Sequence, residues 1–218
     1  MTDYDTSQGP VVMQPDPSHP QGSKKARSEG FGSIASTIAV LLIAPLVALI
    51  LTSFIFQSYQ VDGPSMQTTL FNNDRLLVWK MPKTWSKITG HQYVPNRGDV
   101  VIFVERGLSD LSQPNGKQLI KRVIALPGER VVVKDNQVMV YNKQHPNGFS
   151  PDKTLPYGKV IKDTTNNVDI TVPEGRIFVM GDNRPDSLDS RSFGPVDLND
   201  VVGKLVMRVW PINQAKTF

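Results

Sequence analysis

The chain has 218 residues, 24 Lys plus Arg against 20 Asp plus Glu, 39% hydrophobic residues and no cysteine, a composition that suits one ordered domain with something appended. Without cysteine there is no disulfide framework, thiolate nucleophile or thiolate-held metal, and three scattered histidines make a poor metal site, so no metal or organic cofactor is expected. A net charge of +4 spread among acidic neighbours, with no arginine-rich run and no aromatic ladder, argues against a nucleic-acid partner.

Residues 1–30 hold four prolines, several Ser and Gly and little apolar periodicity, which predicts a flexible tail. Residues 30–61 contain no Asp, Glu, Lys or Arg, and residues 34–56 are dominated by Ile, Leu, Val, Ala and Phe. As a helix this stretch is ~35 Å long, enough to cross a hydrocarbon core of ~30 Å. A single transmembrane anchor over 31–56 is therefore expected, with Pro45 as a candidate kink. Lys24, Lys25 and Arg27 precede it and no basic residue follows until Arg75, which predicts a cytoplasmic N-terminus. The long leading region and the absence of Ala-x-Ala favour a retained anchor over a cleaved leader. Residues 57–218 then lie on the outer face of the cell membrane with 21 basic and 16 acidic residues, a surplus suited to the lipid bilayer surface.

This outer part reads as β. Runs rich in Val, Ile, Phe and Met at 75–80, 99–104, 118–126, 130–134, 137–141, 168–172, 176–180 and 201–209 are separated by Gly, Pro and Asn turns. Asp135-Asn136 between two such runs predicts a hairpin. The expected fold is mainly β: a transmembrane helix, then a mostly antiparallel, partly closed β domain.

Three blocks can carry chemistry. His19 falls in the tail, and His91 and His145 lack apolar framing, so the base is sought among lysines and carboxylates. In Leu119-Ile120-Lys121-Arg122-Val123-Ile124-Ala125-Leu126 a strand puts Leu119, Lys121, Val123 and Ala125 on one face and Ile120, Arg122, Ile124 and Leu126 on the other. Both faces are largely apolar, so Lys121 is withdrawn from water and its amine becomes neutral more readily. Ser65 follows the Gly63-Pro64 bend, which suits a presented nucleophile beside oxyanion donors, with Met66 and Leu70 as apolar neighbours. In residues 181–191 an extended chain would bring Ser187, Asp189 and Arg191 to one side, where Asp189 and Arg191 pair and Ser187 meets an amine. Each block taken alone also reads blandly, as a snorkelling lysine, an ordinary turn and a solvated loop. An aspartic dyad lacks its usual Asp-Thr-Gly or Asp-Ser-Gly context.

Together and in this order, Gly63-x-Ser65-Met66, Arg97-Gly98-Asp99-Val100, the block 121–129 and Gly181-Asp182-Asn183-Arg184 through Ser187-x-Asp189-Ser190-Arg191 resemble the type I signal peptidases. The resemblance runs from the anchor to about Pro195. It implies a membrane-anchored serine endopeptidase that removes signal peptides from precursor proteins, working beside the protein export machinery. Ser65 corresponds to the nucleophile, Lys121 to the general base, Ser187 to the hydroxyl orienting the lysine, and Asp189 and Arg191 to a supporting ion pair. Val61, Met66, Leu70 and Ile120 would wall a substrate-binding pocket for small side chains, giving Ala-x-Ala specificity, and substrate would add a strand to a sheet edge. Residues 57–218 become the catalytic domain, with 130–173 as a small variable β insertion. Two departures stand out. Gly63 replaces a serine that some members use in the oxyanion hole, leaving the Ser65 N–H as the named donor, and Thr68 replaces a common proline. A peptidase of narrower target and a non-enzymatic anchored module are the competing readings.

Overall fold

The computed structural model describes residues 29–50, 55–80, 86, 88–108, 114–156, 160–161 and 166–218, with the side chains of the first helix described over 36–49. The chain divides into two units, Met1–Ala44 and Pro45–Phe218. Helix α1 runs Glu29–Ile50 with Pro45 inside it. Among the described residues no helix is long and apolar enough to cross a membrane, the described side chains of α1 numbering fewer than the ~20 that a span needs. Most of the expected tail, residues 1–28, lies outside the described residues. The far end of the expected anchor falls on 51–54, also outside them, and Phe56 already opens a strand.

The second unit carries eleven described strands. In chain order they are β1 (Phe56–Gln60), β2 (Arg75–Trp79), β3 (Val100–Glu105), β4 (Lys117–Ala125), β5 (Arg130–Lys134), β6 (Gln137–Tyr141), β7 (Val168–Thr171), β8 (Arg176–Met180), β9 (Val196–Asp197), β10 (Val201–Trp210) and β11 (Lys216–Thr217). Two four-residue helices interrupt them, α2 (Pro151–Thr154) and α3 (Ser190–Phe193). All eight expected strands are present within a residue or two. β1, β9 and β11 are additional.

The large sheet follows the order β1-β2-β10-β3-β4-β8-β9, with β11 attached to β10, and every pairing between its strands is antiparallel. The expected partial closure is not found: the sheet is an open path. Its end strands are a polar five-residue β1 and a two-residue β9, which offer no continuous ladder with which to close a barrel. Counting along this order, β1 and β4 run in the same direction. The second sheet, β6-β5-β7, occupies the stretch expected as a small insertion. Its hairpin turns at Asp135 (φ 50°) and Asn136 (φ 60°), the left-handed pair that a two-residue hairpin loop requires.

Strand β4 is buried on both faces near its end because two clusters meet across it. Val123 packs with Val101, Phe103, Ile177 and Val179, whereas Ile124 and Ala125 pack with Val131, Val140 and Phe178. The strict alternation expected over 119–126 breaks here: a register shift against β8 between Val123 and Ala125 moves Ala125 to the side of Ile124. A third cluster, Val61, Met66, Leu70, Leu76, Val100 and Leu205, lies beneath the loop that leaves β1.

Candidate active site

Ser65 sits on the loop between β1 and β2. Backbone bonds from Val61 N to Asp74 O and from Asn73 N to Val61 O close the base of that loop. Gly63 adopts φ +99° at its bend, a conformation that L side chains rarely take. The turn is pinned from below by Met66 and Leu70, both fully buried in the third cluster. From the other side Asn183 N donates to Ser65 O at 3.0 Å, and Asn183 Nδ2 to Pro64 O at 3.3 Å. Ser65 is thus fixed by core packing below and by the 181–191 loop beside it.

Lys121 comes from β4, where it pairs with Val101 of β3. Its side chain is 3% exposed, and its amine donates to Ser65 Oγ at 2.8 Å and to Ile120 O at 3.0 Å. Among the described residues it forms no ion pair. Burial lowers its pKa from 10.5 to about 8, against the opposing pull of Asp189 and Asp182 and with a small push from Lys117. About a tenth of the amine is thus neutral at pH 7 and half at pH 8, in hydrogen-bonding contact with a serine hydroxyl.

The 181–191 loop holds this pair in place. Asp189 is fully buried and caps α3. Its Oδ1 accepts from Arg191 Nε at 2.8 Å, and its Oδ2 accepts from Gly181 N at 3.0 Å and from the Arg191 guanidinium at 2.9 Å. The expected Asp189–Arg191 pair is present, but the chain turns into a helix at Ser190 instead of remaining extended, because the Asp189 carboxylate also takes the Arg191 backbone N–H. Ser187 behaves differently from expectation. Its Oγ is buried with no hydrogen-bond partner, and the Lys121 amine donates to Ser65 and Ile120 instead. It nonetheless lies close by: a side chain on Gly181 would fall 2.3 Å from Ser187 Oγ and 2.4 Å from Ser65 O. Gly181 lets these two segments approach.

A groove of about 930 Å³ opens at the dyad, lined among others by Tyr59, Val61, Leu76, Ile102, Ile120 and Lys121. Of the four residues expected to wall a pocket, the structure brings Val61 and Ile120 to this groove. Met66 and Leu70 are not on its wall; they are the buried anchors of the loop. An apolar residue next to a nucleophile reads the same from sequence in either role. The histidines stay apart: His91 is exposed with Nδ1 3.1 Å from Thr89 O, and His145 is exposed beside the Phe149 ring. Trp79 is 38% and Ile88 73% exposed, whereas Met81 and Trp85 lie outside the described residues.

Two ion pairs under the site were missed. Arg122, next to the lysine but on the opposite face, donates from Nε and NH2 to both oxygens of Asp182 at 2.8 and 2.6 Å, with Thr69 Oγ1 on the same carboxylate. An arginine on an apolar strand face is itself a signal, because a buried guanidinium demands a partner. Arg184 pairs with Asp152 from α2, a contact without a local signature.

The family description "Signal peptidase, peptidase S26" matches residues 34–210. Signal peptidase I of Bacillus licheniformis is 32% identical over 84% of this chain and 92% of its own length. Signal peptidase I V of Bacillus subtilis (strain 168) is 35% identical over 79% of this chain and 94% of its own. A crystal structure of a signal peptidase I from Enterococcus faecalis V583 is 30% identical and covers 52% of this chain and 98% of that one, with a TM-score of 0.37. With the match spanning nearly all of the described residues, the chain belongs to the signal peptidase family, peptidase S26, and is a serine hydrolase.

Proposed function

We propose that the chain is a membrane-anchored endopeptidase that removes signal peptides from precursor proteins with a Ser65–Lys121 dyad. The observation that carries the reading is the 2.8 Å contact between Ser65 Oγ and a buried lysine amine that, among the described residues, forms no ion pair. The neutral amine takes the Ser65 proton as Oγ bonds to the scissile carbonyl carbon, and the resulting oxyanion faces the Ser65 N–H. The ammonium then protonates the leaving amine as the C–N bond breaks, and water cleaves the acyl-enzyme after giving its own proton to Lys121. Asp189 and Arg191 support the loop behind the amine, and the buried, unpartnered Ser187 hydroxyl is assigned to assist it.

Specificity for short side chains in an Ala-x-Ala pattern is supported by Val61 and Ile120 on the groove and by the parallel course of β1 and β4 at its two sides. Anchoring is supported by the uncharged run 30–61 and by the exposure of Ile38, Leu41, Leu42, Ile43, Leu46 and Leu49, because a helix apolar all round suits lipid. In this reading 1–30 is a cytoplasmic tail, 31–56 a single-pass anchor and 57–218 the extracytoplasmic catalytic domain containing the 130–173 insertion. The bilayer and the export machinery are its surroundings. The exposure of Trp79 and Ile88 supports a contact with lipid.

The test is cleavage of a secretory precursor with an Ala-x-Ala site by the detergent-solubilised chain, with the new N-terminus read by mass spectrometry. A cut after the second alanine, abolished by Ser65→Ala and by Lys121→Ala, is the expected result. Normal turnover by folded Lys121→Ala would remove the proposed base.

A further inference from the structure

Arg184 lies in the middle of the 181–191 loop and is 1% exposed. Its NH1 and NH2 groups donate to Asp152 Oδ2 and Oδ1 at 2.7 and 2.6 Å, and its Nε donates to Gly181 O at 3.0 Å. Asp152 stands in the first turn of α2, and its side chain is as buried as that of Arg184. The pair therefore joins the loop beside the dyad to a segment 32 residues away in the chain.

From Arg184 two routes lead to the dyad. Through the backbone, Asn183 N donates to Ser65 O, while Ile161 N and O bond to Asp182 O at 2.9 Å and Arg184 N at 3.1 Å. Through side chains, Arg184 O accepts from Arg191 NH2 at 2.6 Å, and Arg191 grips Asp189, whose Oδ2 holds Gly181 N. Asp152 and Ile161 thus both hold the 181–191 loop, the first by its side chain and the second by its backbone.

Packing alone does not call for charge here. A buried ion pair is commonly matched or exceeded in stability by apolar side chains of similar volume. What a forked guanidinium on a carboxylate supplies is a fixed distance and angle. We propose that Asp152 is a positioning residue of the active site, holding the 181–191 loop through Arg184 in register with Ser65 and Lys121. The short helix α2 that carries Asp152 is then a working part of the site and not a variable attachment. This inference rests on the Ser65–Lys121 reading.

The test separates register from stability. The double variant D152L/R184M, made in the full chain in detergent, replaces the pair by apolar side chains. With near-UV circular dichroism and thermal midpoint preserved, kcat is expected to fall at least tenfold while KM changes less than threefold. A kcat within threefold of wild type would overturn the proposal, because the pair would then be a staple only. If the double variant does not fold, D152E decides: it keeps the charge but lengthens one arm, and the folded protein is expected to lose at least threefold in kcat, unchanged kcat overturning the inference. A second readout needs no turnover. Competitive acetylation of the Lys121 amine across pH, read by mass spectrometry, is expected to titrate near 8 in wild type and at about 9 or higher in the variant, as water reaches the amine. Should the wild type cleave no precursor, the peptidase reading fails on its own and this titration alone decides, an unchanged value counting against Asp152.

Discussion

Lys121 and Arg122 are neighbours on one strand, both buried and both cationic in water, yet the protein treats them in opposite ways. Arg122 meets Asp182 through two hydrogen bonds and also donates to Gly98 O at 2.8 Å. Lys121 meets a hydroxyl and a carbonyl and, among the described residues, no paired carboxylate. A guanidinium keeps its proton at any pH a protein meets, so burying it requires a partner; an ammonium can instead release its proton. The paired face supplies structure, and the unpaired face leaves an amine that can release its proton, as the proposed base requires.

The largest break in this comparison is Lys121→Met. Turnover is expected to fall by about 10⁴-fold or more, measured on a precursor substrate. Stability moves the other way. Between pH 8 and 10.5 the lysine of the unfolded chain holds a proton that the folded chain lacks, so stability rises with pH through that window, and below about pH 8 the full cost of about 3 kcal/mol is present. Urea titrations of Lys121→Met are expected to show up to about 3 kcal/mol of added stability at pH 7 and no slope from this group between pH 8 and 10.5.

Asp182→Asn is the matching break on the other face. It leaves Arg122 buried and uncompensated and is expected to cost about 3–5 kcal/mol, read as an unfolding midpoint shift in denaturant. An effect below about 1 kcal/mol would show that Arg122 finds another acceptor.

How far this contrast could be read without coordinates depends on the residue. The strands rich in Val and Ile were legible because β-branched runs bounded by turns suit a half-buried pleat, and Asp135-Asn136 marked its hairpin. β1 was not: Gln57, Ser58 and Gln60 belong to an edge strand, where the period that betrays a buried face is absent. β9 and β11, of two residues each, are too short for any period. In the site, the surroundings of Ser65 and Lys121 and the spacing of Asp189 and Arg191 made them candidates, and only the resemblance of the combined blocks gave them roles, whereas Asp152 and Arg184 are distant in sequence and carry no local signature. Met66 and Leu70 show the limit most plainly, since an anchor and a pocket wall have the same composition.

Activity against pH sharpens the comparison further. A base must be unprotonated to act, so kcat/KM is expected to rise with pH and level off above about 8. In Lys121→Arg that plateau should vanish, because no neutral form is reached.

The smallest expected effect is on Ser187. Its hydroxyl is buried without a partner, so Ser187→Ala should not destabilise the fold and should add up to about 1 kcal/mol, because a desolvated hydroxyl with no hydrogen bond is removed. If turnover falls by tenfold or more while stability holds, the hydroxyl acts only once substrate is in place.

The shared direction of β1 and β4 has a consequence for whatever enters between them. In the proposed reading a peptide strand laid between them would meet the same kind of ladder on both sides, parallel with both or antiparallel with both, and could do so only when drawn out straight at roughly 3.3 Å per residue. A helix, a tight turn or a folded hairpin cannot make those bonds, and a proline in the stretch forfeits one of them. Such a groove responds to the local looseness of a chain before it responds to side chains, sorting polypeptides by whether a short stretch has yet been claimed by folding.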